Sequence, residues 1–114
     1  LHYLQFAEFI EMPTPLHNKI VSRFHVRAGN LLLEAGFEIY SQGPKVLVGR
    51  PKWEGAGGSY RIPDVTVAKK YEEEWDEQGC LLNPWLIAEV ASPSTRDVDF
   101  GAKREEYAQI DSLR

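Results

Sequence analysis

One carboxylate, Glu89, stands inside the run Trp85-Leu86-Ile87-Ala88-Glu89-Val90-Ala91, which is otherwise apolar on both of the faces that an extended chain presents. Such a run reads as a strand at the buried centre of a sheet. A carboxylate left unpaired there costs several kcal/mol, so the sequence demands a compensating cation, either a side chain or a metal ion.

Two further positions point at the same interior. Ile62 to Ala68 reads as a second strand, with Val65 and Val67 on one face and Asp64 sharing the other with Ile62 and Thr66. Two carboxylates on adjacent strands make an all-oxygen site, which suits magnesium or manganese better than zinc. The turn Ser92-Pro93-Ser94-Thr95 then opens a final helix from about Thr95 to Ile110. Its apolar stripe is Phe100, Tyr107 and Ile110, and Lys103 sits in the middle of that stripe. An ammonium there would orient an attacking water and offset charge building on a phosphate. Asp99 and Tyr107 lie one turn to either side, placed to position the lysine or touch nucleic acid.

Each position also has a plainer reading. Asp64 after Pro63 suits a strand-entry turn, and Glu89 suits an arginine partner. Lys103 suits an ion pair with Asp99 four residues before it, or a stem laid over apolar surface with its charge in water. Three such residues facing one interior is what favours a site.

Upstream, Leu4 to Met12 reads as a strand or strand end. Thr14-Pro15 marks a helix start and Gly36 its close, giving a helix near 15 to 35. Leu16, Ile20, Phe24, Ala28, Leu31, Leu32 and Ala35 form its apolar stripe, with His17 near the centre and therefore pointing inward. A core histidine held by a hydrogen bond is the plainer account of His17, and an auxiliary role in the site is the other. Phe37 to Gln42 and Lys45 to Gly49 read as two short strands, expected to form a hairpin around Gly43-Pro44. The segment Arg50 to Tyr60 holds Gly55-Ala56-Gly57-Gly58 but lacks the Lys-Ser/Thr ending of a phosphate loop, so it reads as a hairpin or active-site loop.

The 114 residues, 43% of them hydrophobic, suit one domain spanning 1–114. Leu1 is not an initiator methionine, and the final helix ends without a following strand, so a truncated C-terminal element is expected. No apolar run approaches the roughly 20 residues of a membrane span, and no signal-like segment opens the chain. A soluble, cytoplasmic protein with no membrane partner is expected. The single Cys80 excludes an internal disulfide framework and a cysteine-based zinc site, and reads as an idle or buried thiol.

The net charge of −4 sits badly with a simple DNA-binding module. The excess is local, however: Glu72, Glu73, Glu74, Asp76 and Glu77 form a solvated loop or short helix, and without them 13 bases face 12 acids.

Taken in order, Ile62-Pro63-Asp64-Val65-Thr66-Val67, then Ala88-Glu89-Val90-Ala91-Ser92-Pro93-Ser94-Thr95, then Asp99, Lys103 and Tyr107 at four-residue steps, resemble the Uma-two family of proposed endonucleases. That family is a branch of the PD-(D/E)xK superfamily, and Met12-Pro13 followed by His17 fits its N-terminal pattern. The resemblance runs from about Glu8 to the end and is most specific from Glu89 to Tyr107. It implies an α/β, restriction-endonuclease-like fold: a mixed sheet flanked by α-helices. It further implies metal binding by Asp64 and Glu89 and a catalytic role for Lys103. Most superfamily members place lysine two residues after the strand carboxylate, where this chain has Ala91, so the assignment takes the lysine to have moved to the helix.

The expected function is that of a metal-dependent endonuclease hydrolysing phosphodiester bonds, of DNA rather than RNA. Asp64, Glu89 and the Val90 carbonyl would hold magnesium or manganese. A nuclease cutting both strands commonly works as a dimer, so a homodimer is one arrangement open to this chain. Two rivals stand beside this reading. One is a non-catalytic nucleic-acid or protein binding module on the same fold; the other is a structural domain in which Asp64, Glu89 and Lys103 form a buried ion network.

Overall fold

The computed structural model describes the main chain of residues 3–7, 14–49, 58–91 and 96–113, and the side chains of 15–49, 58–90 and 101–113. Among the described residues, six strands and two helices run in the order β1 (Tyr3–Ala7), α1 (Thr14–Glu34), β2 (Phe37–Ser41), β3 (Val46–Gly49), β4 (Ser59–Arg61), β5 (Val65–Lys69), β6 (Leu86–Ala91) and α2 (Arg96–Tyr107), with a 3-10 turn at Asp111–Leu113. The main sheet has the order β1-β6-β5-β2. β1 runs parallel to β6, while β6 with β5 and β5 with β2 are antiparallel, so the sheet is mixed.

β5 and β6 lie inside the sheet and are apolar on both faces because each face is covered. On one side Val65, Val67, Ala88 and Val90 meet Val21 of α1 and Ile39 of β2. On the other, Ala68 and Ile87 pack with Leu81, Tyr107, Ile110 and Leu113, and with Val46 and Val48 of β3. The architecture is therefore α/β, a mixed sheet between α1 and α2.

Three expectations change. β2 and β3 do not form a hairpin: β2 pairs along its whole length with β5, from Phe37↔Lys69 to Ser41↔Val65, while β3 pairs with β4 in a separate two-stranded sheet. The two strands bury their apolar residues on opposite sides of the main sheet, and Gln42, at φ 58°, turns the chain out of it. The strand expected over Ile62 to Ala68 begins only at Val65. The buried face of α1 is rotated from the expected stripe: Val21 is 3% exposed, whereas Leu31 is 74% exposed. That face centres on Val21, Phe24, Ala28 and Leu32, and Leu31 lies about 100° around the helix from Leu32.

Gly36 closes α1 as expected, at φ 92° and with its N–H directed to the Leu33 carbonyl. Nothing crowds the place where a Cβ would sit, so the Gly36→Ala cost is conformational alone. A loss of about 1 kcal/mol is expected, read as a melting temperature lowered by roughly 4–8 °C. An unchanged melt would show that the glycine's backbone freedom is not used. Of the Gly-rich segment, residues 50–57 lie outside the described residues, as do Glu8 to Pro13 and Ser92 to Thr95. The acidic stretch is an ordered loop in which Asp76 Oδ1 accepts the N–H groups of Gln78 and Cys80, and Cys80 is buried.

Candidate active site

The β5–β6 ladder sets the geometry. Its register pairs Val65 with Ala88 and Thr66 with Ile87, so Asp64, one residue before β5, enters the sheet level with Glu89. Alternation puts both on the α2 side, away from Val65 and Ala88. There Glu89 is 2% exposed.

Two groups from α2 meet the Glu89 carboxylate. The Tyr107 hydroxyl donates to Oε1 at 2.7 Å, and the Lys103 ammonium lies 3.4 Å from Oε2. Lys103 and Tyr107 are one turn apart on α2, so a single helix face delivers both. Tyr107 is fully buried, whereas the Lys103 side chain keeps about a quarter of its surface in solvent. Asp99 lies on α2 one turn before Lys103, but its side chain is outside the described residues, so its expected role is not placed.

Asp64 is held from three directions. Its Oδ2 accepts the Val90 N–H at 2.7 Å, the place in the ladder where a backbone carbonyl would otherwise sit. Gln42 Nε2 approaches Oδ1 at 3.4 Å, and the Gln42 N–H donates to the Asp64 carbonyl. His17 Nε2 lies 3.3 Å from Oδ2 and 3.1 Å from the Val90 carbonyl oxygen. A carbonyl only accepts, so Nε2 carries the proton and is shared between the two oxygens. His17 therefore points inward as expected, as a half-buried tether between α1 and the site.

The electrostatics are unbalanced. Burial pushes the Glu89 carboxyl above the usual carboxylate range, against the Tyr107 hydrogen bond and the Lys103 charge, which pull it down. The Asp64 charge adds to the rise. Two carboxyl groups in one half-dry site with one ammonium are short of positive charge, and a divalent cation would relieve the deficit. Among the described residues, no group of three or more His, Cys, Asp or Glu side chains gathers closely enough to hold a metal ion. Asp64 and Glu89 enter the sheet at one level, and the Val90 carbonyl oxygen lies 3.1 Å from His17 Nε2. Oxygen donors of this kind are what a hard cation prefers.

Sequence reasoning missed three supports. Arg61 of β4 forms a two-pronged ion pair with Glu106 of α2, fastening the small sheet to the helix that carries Lys103. Gln42 and the Val90 N–H both brace Asp64, and neither leaves a local pattern in the sequence. Elsewhere Tyr40 donates to Glu73 at 2.7 Å, and with burial as the main cause this lifts the Tyr40 hydroxyl well above its usual range.

A family model for the Uma-two family, described as "Putative restriction endonuclease", matches residues 5–113. No curated protein and no solved structure matches the chain. No described helix is long and apolar enough to cross a membrane.

Proposed function

The chain belongs to the Uma-two family, with its restriction-endonuclease-like character, and from that premise we propose that it is a magnesium- or manganese-dependent endonuclease hydrolysing phosphodiester bonds of DNA. The observation that carries this reading is the buried Glu89 carboxylate, paired with Asp64 across the ladder and met by Lys103 at 3.4 Å. A purely structural carboxylate has no need of a second one beside it.

Asp64, Glu89 and the Val90 carbonyl would hold the ion. When bound, it supplies Lewis acidity toward the attacking water and the phosphoryl oxygens. The protein's own groups do the rest. The Tyr107 hydroxyl fixes the rotation of Glu89, while His17 and the Val90 N–H fix Asp64. Lys103, partly open to solvent, steers the water in line with phosphorus and offsets the growing phosphoryl charge. The water oxygen bonds to phosphorus and loses its proton to solvent; the bond to the leaving sugar oxygen breaks, and that oxygen takes a proton.

The test is supercoiled plasmid incubated with magnesium or manganese, with Asp64→Asn, Glu89→Gln and Lys103→Met beside the parent. Nicked and linear DNA from the parent, with cleavage abolished in each variant, is the expected result. Equal cleavage by parent and all three variants would sink the site. Binding without cleavage in either metal would turn the reading to a non-catalytic module.

A further inference from the structure

On the outward side of α1, Lys19, Arg23 and Arg27 follow one another at steps of four residues, and all three are exposed. Residues at this spacing stand on one ridge of a helix, so they form a line of positive charge spanning about 12 Å. No ion pair or side-chain hydrogen bond joins any of the three to another described residue. Four other cations are engaged, Lys70 with Glu38, Arg61 with Glu106, Lys103 with Glu89, and Lys45 over the Tyr60 ring, while Lys69 and Arg104 stand singly on the surface without a side-chain partner among the described residues. Like charges at this spacing repel, so the row works against the helix that bears it. In a chain of net charge −4, a cationic row with no partner among the described residues is suited to an anion that is elsewhere.

The anion's form follows from spacing and place. Over about 12 Å of duplex axis one strand carries three or four phosphates that wind around the axis, so a straight row of three cations meets about two or three of them. Arg23 and Arg27 also border an open groove whose other walls are Phe24, Ala28 and Leu31. The ridge begins at Lys19, two residues after His17, whose ring touches Asp64. His17 and Lys19 project from opposite sides of α1, so about one helix diameter, roughly 10–12 Å, separates Lys19 from the side of α1 that faces the sheet.

We propose that Lys19, Arg23 and Arg27 form a phosphate-binding track that seats the backbone of a nucleic-acid duplex on the outward side of α1, whose inward side carries His17 to Asp64. The destination of the strand rests on the nuclease reading; the track itself does not. It works by charge and spacing, so it binds without regard to sequence and weakens as salt rises.

The test measures binding of a fluorescent 30-base-pair duplex in EDTA, where no cleavage occurs, across a series of salt concentrations. The triple variant Lys19→Gln/Arg23→Gln/Arg27→Gln is compared with the parent and with a charge-matched control, Lys45→Gln/Lys69→Gln/Lys70→Gln. The ridge variant is expected to melt no lower than the parent and to bind at least tenfold more weakly at low salt. Its slope of log affinity against log salt should be shallower by about 2–3, and the control's slope should stay near the parent's. An unchanged slope in the ridge variant, an equal loss in the control, or no binding by the parent overturns the track. Plasmid cleavage with magnesium or manganese is scored in parallel. Binding through the ridge by a parent that does not cut would end the nuclease reading alone, and cutting with an unchanged ridge slope would end the track alone.

Discussion

Glu89→Gln is expected to lower metal-dependent cleavage at least a thousandfold and, in the same protein, to raise thermal stability. Both effects come from the burial that makes the residue conspicuous. The amide keeps the shape of the side chain and can still accept from the Tyr107 hydroxyl, but it no longer brings a charge to a cation. Without the cation the developing phosphoryl charge goes unmet, and a loss on the scale of 10³ or more is the ordinary consequence.

The stability gain follows from the raised Glu89 pKa. A carboxyl whose pKa is higher in the folded state than in the unfolded chain favours folding most when protonated. The stability it contributes is fully present below the unfolded value, about 4.3, and is lost as pH rises through the folded value. In EDTA the parent should therefore lose stability as pH climbs out of the acid range, and Glu89→Gln should not. Near neutral pH a higher melting temperature than the parent's is expected. Parallel pH–stability curves for the two proteins would show that Glu89 carries no such penalty.

Lys103→Met should reduce cleavage by about 10²–10³ and lower stability rather than raise it. The ammonium is the cation closest to Glu89 among the described groups, and its removal leaves the buried carboxylate with Tyr107 as its remaining donor. Breaking a fully buried pair costs more than breaking an exposed one, and Lys103 stands between those limits. A loss of about 1–3 kcal/mol is therefore expected. Melting in EDTA of both single variants and the double variant tests the coupling. In the Glu89→Gln background the lysine has nothing to neutralise, so Lys103→Met should then cost little. An equal cost in both backgrounds would mean that the two side chains do not interact.

Much of the site was legible because local geometry dictates it. Glu89 in an apolar run, Lys103 between Phe100 and Tyr107 at helical spacing, and Asp64 two residues before Thr66 at the entry to β5 each follow from the fixed periods of strand and helix. The ends of α1 were legible for the same reason, since Thr14-Pro15 and Gly36 have conformational preferences of their own.

What the local chain does not contain is the choice of partner over distance. The pattern of Phe37 to Ser41 marks a strand, but whether it pairs with Val46 to Gly49 or with Val65 to Lys69 depends on which faces are covered after the chain closes. The same holds for α1, where the sheet selects Val21 and turns Leu31 outward. It holds for the site's supports too: His17 reaches Asp64 across 47 residues, and Tyr107 reaches Glu89 across 18. The sequence by itself determined which stretches form strands and helices and which side chains share a face, because backbone periodicity is a short-range property. Only the tertiary structure decided which of them meet, because strand pairing and helix rotation are set by burial summed over the whole fold.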